Sequence, residues 1–149
     1  MAAIYLYPSL GLFEGTIVSV GRGTFCPFRL IGFPDYNDTS FKFTPRSIDG
    51  VSKNPMYKDS VCFGIDLQQI EIEDLMDNKQ IDLKWITKMY NDYYNPSFFN
   101  DYFEMLAGNN ELREQIMEGI SIEDIKESWQ ADLELYKQQR QYYLLYPDF

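Results

Sequence analysis

The chain has 149 residues, 45% of them hydrophobic and 17% aromatic, which excludes intrinsic disorder and supplies a core without metal or disulfide support. It contains no histidine, so the commonest general base, the commonest zinc ligand and every Ser-His or Cys-His dyad are missing from it. The net charge is −10, a balance that opposes nucleic acid, whose phosphates are neutralised by cations.

In chain order, the first half reads as strands and loops. The runs "AIYLYP" and "SLGLF" are short and apolar, broken by Pro8 and Gly11. "PFRLIGFP" is a β-rich run closed by Pro34, "FKFTP" alternates before Pro45, and "SVCFGIDLQQIEI" is a longer strand. The stretches "DYNDTS" and "RSIDGVSKNPMYKDS" are loop-like, and long ordered loops are where binding residues concentrate. Cys26 and Cys62 fit no metal-ligand spacing and read as buried free thiols.

From about Gln80 the hydrophobic period changes from two to 3.6. Ile81, Trp85, Ile86, Met89, Tyr90 and Tyr93 share one helical face that stops before Asn95-Pro96. "NNELREQIMEG" is a short helix closed by Gly119. Ser121 with Asp124 three residues on forms an acidic capping box, followed at helical spacing by Ile122, Ile125, Trp129, Leu133 and Tyr136. The aromatic tail "YYLLY" is expected to extend this helix or dock on the body as core. Residues 1–64 hold five acids against six bases, a balance of +1, so the remainder carries −11 and reads as a solvated helical face. No run of 18 apolar residues spans a membrane, and "MAAIYLYPSL" lacks the pattern of a signal peptide. The expectation is one α+β domain over residues 1–149: a mixed β-sheet with long loops first, helices packed on it second.

The most distinctive segment is "EGTIVSVGRGT", residues 14–24. It lacks the Lys-Ser/Thr of a phosphate loop and the third glycine of a dinucleotide fingerprint. Gly21 and Gly23 let the backbone turn and approach a ligand closely, and Arg22 between them offers a planar fork suited to a carboxylate. Ser19, Thr16 and Thr24 add hydroxyls suited to a sugar, and Glu14 is the only acid among the first 34 residues. Two readings stand side by side here: a ligand loop, or a structural Glu14–Arg22 ion pair across a glycine-rich turn. Glycoside cleavage takes two carboxylates facing each other across the bond, and Glu14 has no partner nearby in sequence, so a complete active site within this chain is not expected.

The segment "YPSLGLFEGTIVSVGRGT" resembles the opening of the C-terminal domain of NamZ-type exo-β-N-acetylmuramidases, peptidoglycan-recycling glycoside hydrolases of bacteria. The likeness continues through "PFRLIGFP", "FTP", "CFGIDL", "LAGNNELREQIMEG" and the stretch from Trp129 to Pro147. Ile17 departs from it, standing where the family usually carries a polar residue, often Asn. The resemblance implies a two-part enzyme in which a Rossmann-like N-terminal domain, absent from this chain, holds the catalytic glutamate, with the cleft between the two parts. It implies release of N-acetylmuramic acid from the non-reducing end of peptidoglycan fragments, no metal or other cofactor, and an extracytoplasmic setting. On this reading Glu14, Thr16, Ser19, Arg22, Gly23 and Thr24 face or support the substrate, and none of them is catalytic. The alternative is a non-catalytic carbohydrate-binding or protein-interaction module. Half of a two-part enzyme is also expected to expose an apolar patch where the other half sits.

Overall fold

The computed structural model describes residues 2–78 and 80–147. It is an α+β fold: a three-stranded antiparallel sheet in the first half, and helices concentrated in the second. Strands β1 (Leu30–Phe33), β2 (Lys42–Phe43) and β3 (Cys62–Asp66) lie in the order β1-β3-β2. Ile31 pairs with Ile65 and Gly32 with Gly64 across β1 and β3, while Phe43 of β2 pairs with Cys62. β3 is shorter than its apolar run because the Asp66 carboxylate accepts the Gln68 N–H at 2.8 Å, and this turn ends the ladder.

The N-terminus corrects the strand reading. Residues Ala2–Leu10 form helix α1, and Gly11–Gly15 continue it as a 3₁₀ turn. Ala2, Leu6 and Leu10 fall at helical spacing and are all buried. That stripe outweighs Pro8, which lies on the exposed side in the last turn and costs the helix a single backbone bond.

The helical half follows its sequence signals more closely. Helix α2 (Ile72–Asp77) and helix α3 (Lys84–Tyr93) come first, and α3 buries Ile86, Met89 and Tyr90 and ends on Tyr94 in the left-handed region. Helix α4 (Tyr102–Ala107) precedes α5 (Glu111–Glu118), whose end is closed as expected at Gly119, φ 74°. There the Ile120 N–H reaches the Gln115 carbonyl and the Gly119 N–H that of Ile116, the paired bonds of a Schellman stop. The Ser121 hydroxyl oxygen accepts the Asp124 N–H and starts α6 (Ile122–Ser128). The single long helix read from the sequence is two, α6 and α7 (Gln130–Arg140), parted at Trp129. The tail departs from expectation: it forms a 3₁₀ turn at Gln141–Tyr143, and Tyr142, Tyr143, Leu145 and Tyr146 are exposed rather than core.

The main core gathers Phe13, Ile31, Phe33, Leu67, Ile86, Met89, Phe98, Phe103 and Ile116 from both halves. Cys62 is buried in a smaller cluster with Leu30 and Phe43, with Cys26 half-buried beside it, and both thiols are free. Burial pushes the Cys62 thiol up to about 11.

The halves are joined by the extended segment after Gly15. Gly15 packs directly on the main chain of Phe103, where any Cβ would collide with backbone. The Asn100 N–H then reaches the Gly15 carbonyl at 3.0 Å and the Ile17 N–H the Phe98 carbonyl at 3.0 Å. Two residues further on, Ser19 exchanges both backbone bonds with Gly32 of β1, at 2.9 and 3.0 Å. One strand-like segment is therefore bonded to helical loops at one end and to the sheet at the other.

Two predictions follow from this packing. Gly15→Ala forces α4 away from the 3₁₀ turn, an overpacking cost of about 1–3 kcal/mol, and lowers the melting temperature more than Ser121→Ala, which removes a cap worth about 1 kcal/mol; equal melts for the two variants would contradict the close approach. The second concerns pH. The buried Tyr36 hydroxyl donates to Asp92 Oδ2, which also accepts from Lys88 Nζ at 2.9 Å. Burial opposes the Asp92 charge, but these two bonds outweigh it and hold the carboxyl below its usual value. A lowered carboxyl pKa adds stability above the unfolded value of about 3.9, and that stability is lost as pH falls through the folded value. Thermal melts of Tyr36→Phe should accordingly lie below wild type at pH 7, with the gap narrowing below about pH 4.

Candidate functional site

The segment from Glu14 to Thr24 is held from three sides. Its carbonyls at Ile17 and Val20 accept from the Tyr57 hydroxyl and the Phe28 N–H, each at 2.7 Å. Phe28 and Tyr57 both sit in the left-handed region, φ 59° and 56°, where a non-glycine residue costs about 1–3 kcal/mol. Two strained aromatics thus clamp the four residues Ile17 to Val20.

The glycines carry the turn that follows. Gly21 has φ 74° and Gly23 has φ 81°. A Cβ on Gly23 would lie 2.5 Å from the Pro55 ring and 2.7 Å from the Arg46 carbonyl, and the Gly23 carbonyl accepts the Arg46 N–H at 2.8 Å. Gly23 therefore packs the turn against the 45–59 loop. Arg22 projects from between the two glycines.

Of the residues singled out in the sequence, Glu14, Ser19 and Arg22 line one shallow pocket of about 180 Å³, together with Phe13, Val18, Val20 and Met56. Arg22 Nη2 donates to Glu14 Oε1 at 2.5 Å and Nε to the same oxygen at 3.1 Å. The guanidinium also lies 4.9 Å above the Phe28 ring, which packs on Tyr7. An ion pair half open to water, with 52% of the Arg22 side chain exposed, contributes about 0–1 kcal/mol to stability. Its effect is orientation. Two of the five guanidinium N–H groups are taken by Glu14, and the remaining three can receive a planar anion.

The other predicted hydroxyls turn inward. Thr16 is fully buried; its hydroxyl donates to the Phe13 carbonyl at 2.8 Å and accepts the Val18 N–H at 3.0 Å. Thr24 does the same within its own turn, donating to the Gly21 carbonyl at 2.7 Å and accepting the Cys26 N–H at 3.1 Å. Both brace the main chain that carries Arg22. Ser19 is buried, with its oxygen accepting the Gly21 N–H at 3.3 Å, yet it borders the pocket. Ile17 packs its side chain against the main core. Sequence reasoning missed Phe28 and Met56. Phe28 stands six residues after Arg22 and could have been found as a ring within reach of the guanidinium, whereas Met56 comes from a distant loop with no local signal.

Glu14 is the one carboxylate among the described residues lining the pocket. The paired carboxylates of glycoside hydrolysis are thus not assembled here from described residues.

Comparison with known proteins places this geometry in a family. The profile described as "Exo-beta-N-acetylmuramidase NamZ, C-terminal" matches residues 5–146. The peptidoglycan β-N-acetylmuramidase NamZ of Bacillus subtilis (strain 168) is 32% identical over 155 residues, taking in 95% of this chain and 37% of that protein. The crystal structure of a DUF1343 family protein from Bacteroides fragilis superposes with a TM-score of 0.91 at 42% identity, covering 99% of this chain and 41% of that one. The chain therefore spans well under half the length of the relatives it matches. From residue 5 to residue 146, it belongs to the family of NamZ C-terminal domains.

Proposed function

We propose that this chain is the substrate-cleft part of an exo-acting β-N-acetylmuramidase, which hydrolyses N-acetylmuramic acid from the non-reducing end of bacterial peptidoglycan fragments. The observation that carries the reading is Arg22, held over Phe28 and steered by Glu14 at the edge of a pocket, in a chain of this family. Muramic acid differs from glucosamine by a lactyl ether ending in a carboxylate. The three N–H groups that Arg22 keeps free suit that group, and Ser19 beside them can order the sugar. Glu14 positions the guanidinium. Thr16, Gly23 and Thr24 brace the loop so that Arg22 meets its ligand already oriented, which lowers the entropic cost of binding.

In this reading the catalytic glutamate comes from a Rossmann-like domain on the N-terminal side, and the bond to be cleaved lies between the two parts. The chain by itself is inactive. The setting is extracytoplasmic, periplasmic or secreted, where peptidoglycan fragments arise.

Two measurements test this. In an enzyme carrying this chain as its second part, Arg22→Ala should raise KM for muramic-acid substrates about 10-fold or more, the loss of a charge-assisted hydrogen bond of about 1.5–3 kcal/mol, and leave glucosamine substrates nearly unchanged. An equal effect on both substrates sinks the carboxylate assignment. Second, a chromogenic muramic-acid glycoside should not be turned over by this chain alone and should be cleaved once the N-terminal domain is supplied. Turnover by the chain alone would favour a complete active site here and overturn the division of labour.

A further inference from the structure

Helix α7 is long for an element that buries nothing, a property that among the described α-helices it shares with the six-residue α2. None of its residues is buried, although Leu133, Leu135 and Tyr136 lie along it. The chain beyond it is equally bare, with Tyr142, Tyr143, Leu145 and Tyr146 each at least 80% exposed. An 11-residue helix is marginal in water without a face to pack on. Beside its first turns runs a groove of about 420 Å³, walled by Leu12, Leu83, Leu106, Trp129, Leu133 and Tyr136. Glu134 and Lys137 pair with each other at 2.7 Å, so these two charges answer one another along the helix.

From this we infer that the groove and α7 form the seat of the upstream part of the NamZ-type polypeptide, the part that makes up most of the length of the relatives. Three observations select that occupant. The first is length: this chain matches 37% of the B. subtilis relative and 41% of the B. fragilis one, so a larger body accompanies the matching part in each. The second is shape. The superposition with the B. fragilis protein covers 99% of this chain, α7 included, so the course of this helix is shared with a longer protein. The third is continuity. The single 3₁₀ turn Gly11–Gly15 carries both Leu12, which walls the groove, and Glu14, which lines the Arg22 pocket, so one short element links the two sites. The inference rests on the two-part reading and adds to it which face the missing part covers. α7 then works as a strap: its apolar edge is covered when the two parts meet, and the meeting closes the cleft over Arg22.

Amide hydrogen exchange tests this without substrate, so its outcome is independent of the Arg22 kinetics. In the 149-residue chain the α7 amides should exchange near the unprotected rate, whereas the matching helix of the full-length B. fragilis protein should be protected by roughly 100-fold or more. Equal exchange in the two proteins overturns the proposal, whether fast or slow. Protection that appears in the isolated chain and rises with its concentration also overturns it, and assigns the face to a second copy. As a control on folding, the double variant Leu133→Asp, Tyr136→Asp should melt with the parent chain, because neither side chain is in the core; a large loss of stability would mean that α7 packs on its own body, against the proposal.

Discussion

The constraint that joins the two halves of the molecule is the contact of Gly15 with the main chain of Phe103. Without a side chain at Gly15, the 3₁₀ turn lies flat on α4, and the next residues are delivered in extended form to two different partners. Asn100 and Ile17 secure one end and Gly32 the other. The sheet and the helices are therefore not two packed layers meeting only through side chains. They share a backbone ladder through residues 15–19, and the side chains of the candidate site hang from that ladder. A change at either end moves the site, because the peptide groups between have no slack.

This placement explains the division of labour within the segment. Successive residues face opposite ways on an extended chain. Thr16 is buried and satisfied by its own main chain, and Val18 and Val20 are buried yet border the pocket. After Gly21 the chain turns and Arg22 comes out into solvent over Phe28. An exposed arginine ordinarily samples many rotamers. Here the Glu14 carboxylate and the Phe28 ring restrict it from two directions, so its charge is presented in one place.

The same economy of contact is missing at the other end of the chain. α5 and α6 are stopped and started by local devices, the Gly119 stop and the Ser121 cap, and each buries at least one residue. α7 has neither a cap hydrogen bond from its N-cap side chain nor a buried face. A helix with so little local support owes its order to whatever lies against it.

Local chemistry determined much of this protein from the sequence alone. The 3.6-residue period of α3, the glycine after α5 and the Ser121 cap are short-range signals, and the elements stand close to them, except that α3 begins only at Lys84 and leaves Ile81 exposed ahead of it. The glycine-framed Arg22 with Glu14 near it was equally legible, because a turn and an ion pair over eight residues are set by neighbours in sequence. What the tertiary structure decided was everything that depends on distant partners. Pro8 reads as a breaker, yet Ala2, Leu6 and Leu10 had a core to enter, and burial of that stripe outweighed one lost backbone bond. "YYLLY" reads as core, yet the described chain leaves Tyr142, Tyr143, Leu145 and Tyr146 exposed. The roles of the three hydroxyls at 16, 19 and 24 were decided by which main-chain groups came within reach, and the fold brought Met56 to the pocket and Phe28 beneath the Arg22 guanidinium. Composition and period state that a side chain is suited to burial or to a ligand; only long-range packing supplies the second surface.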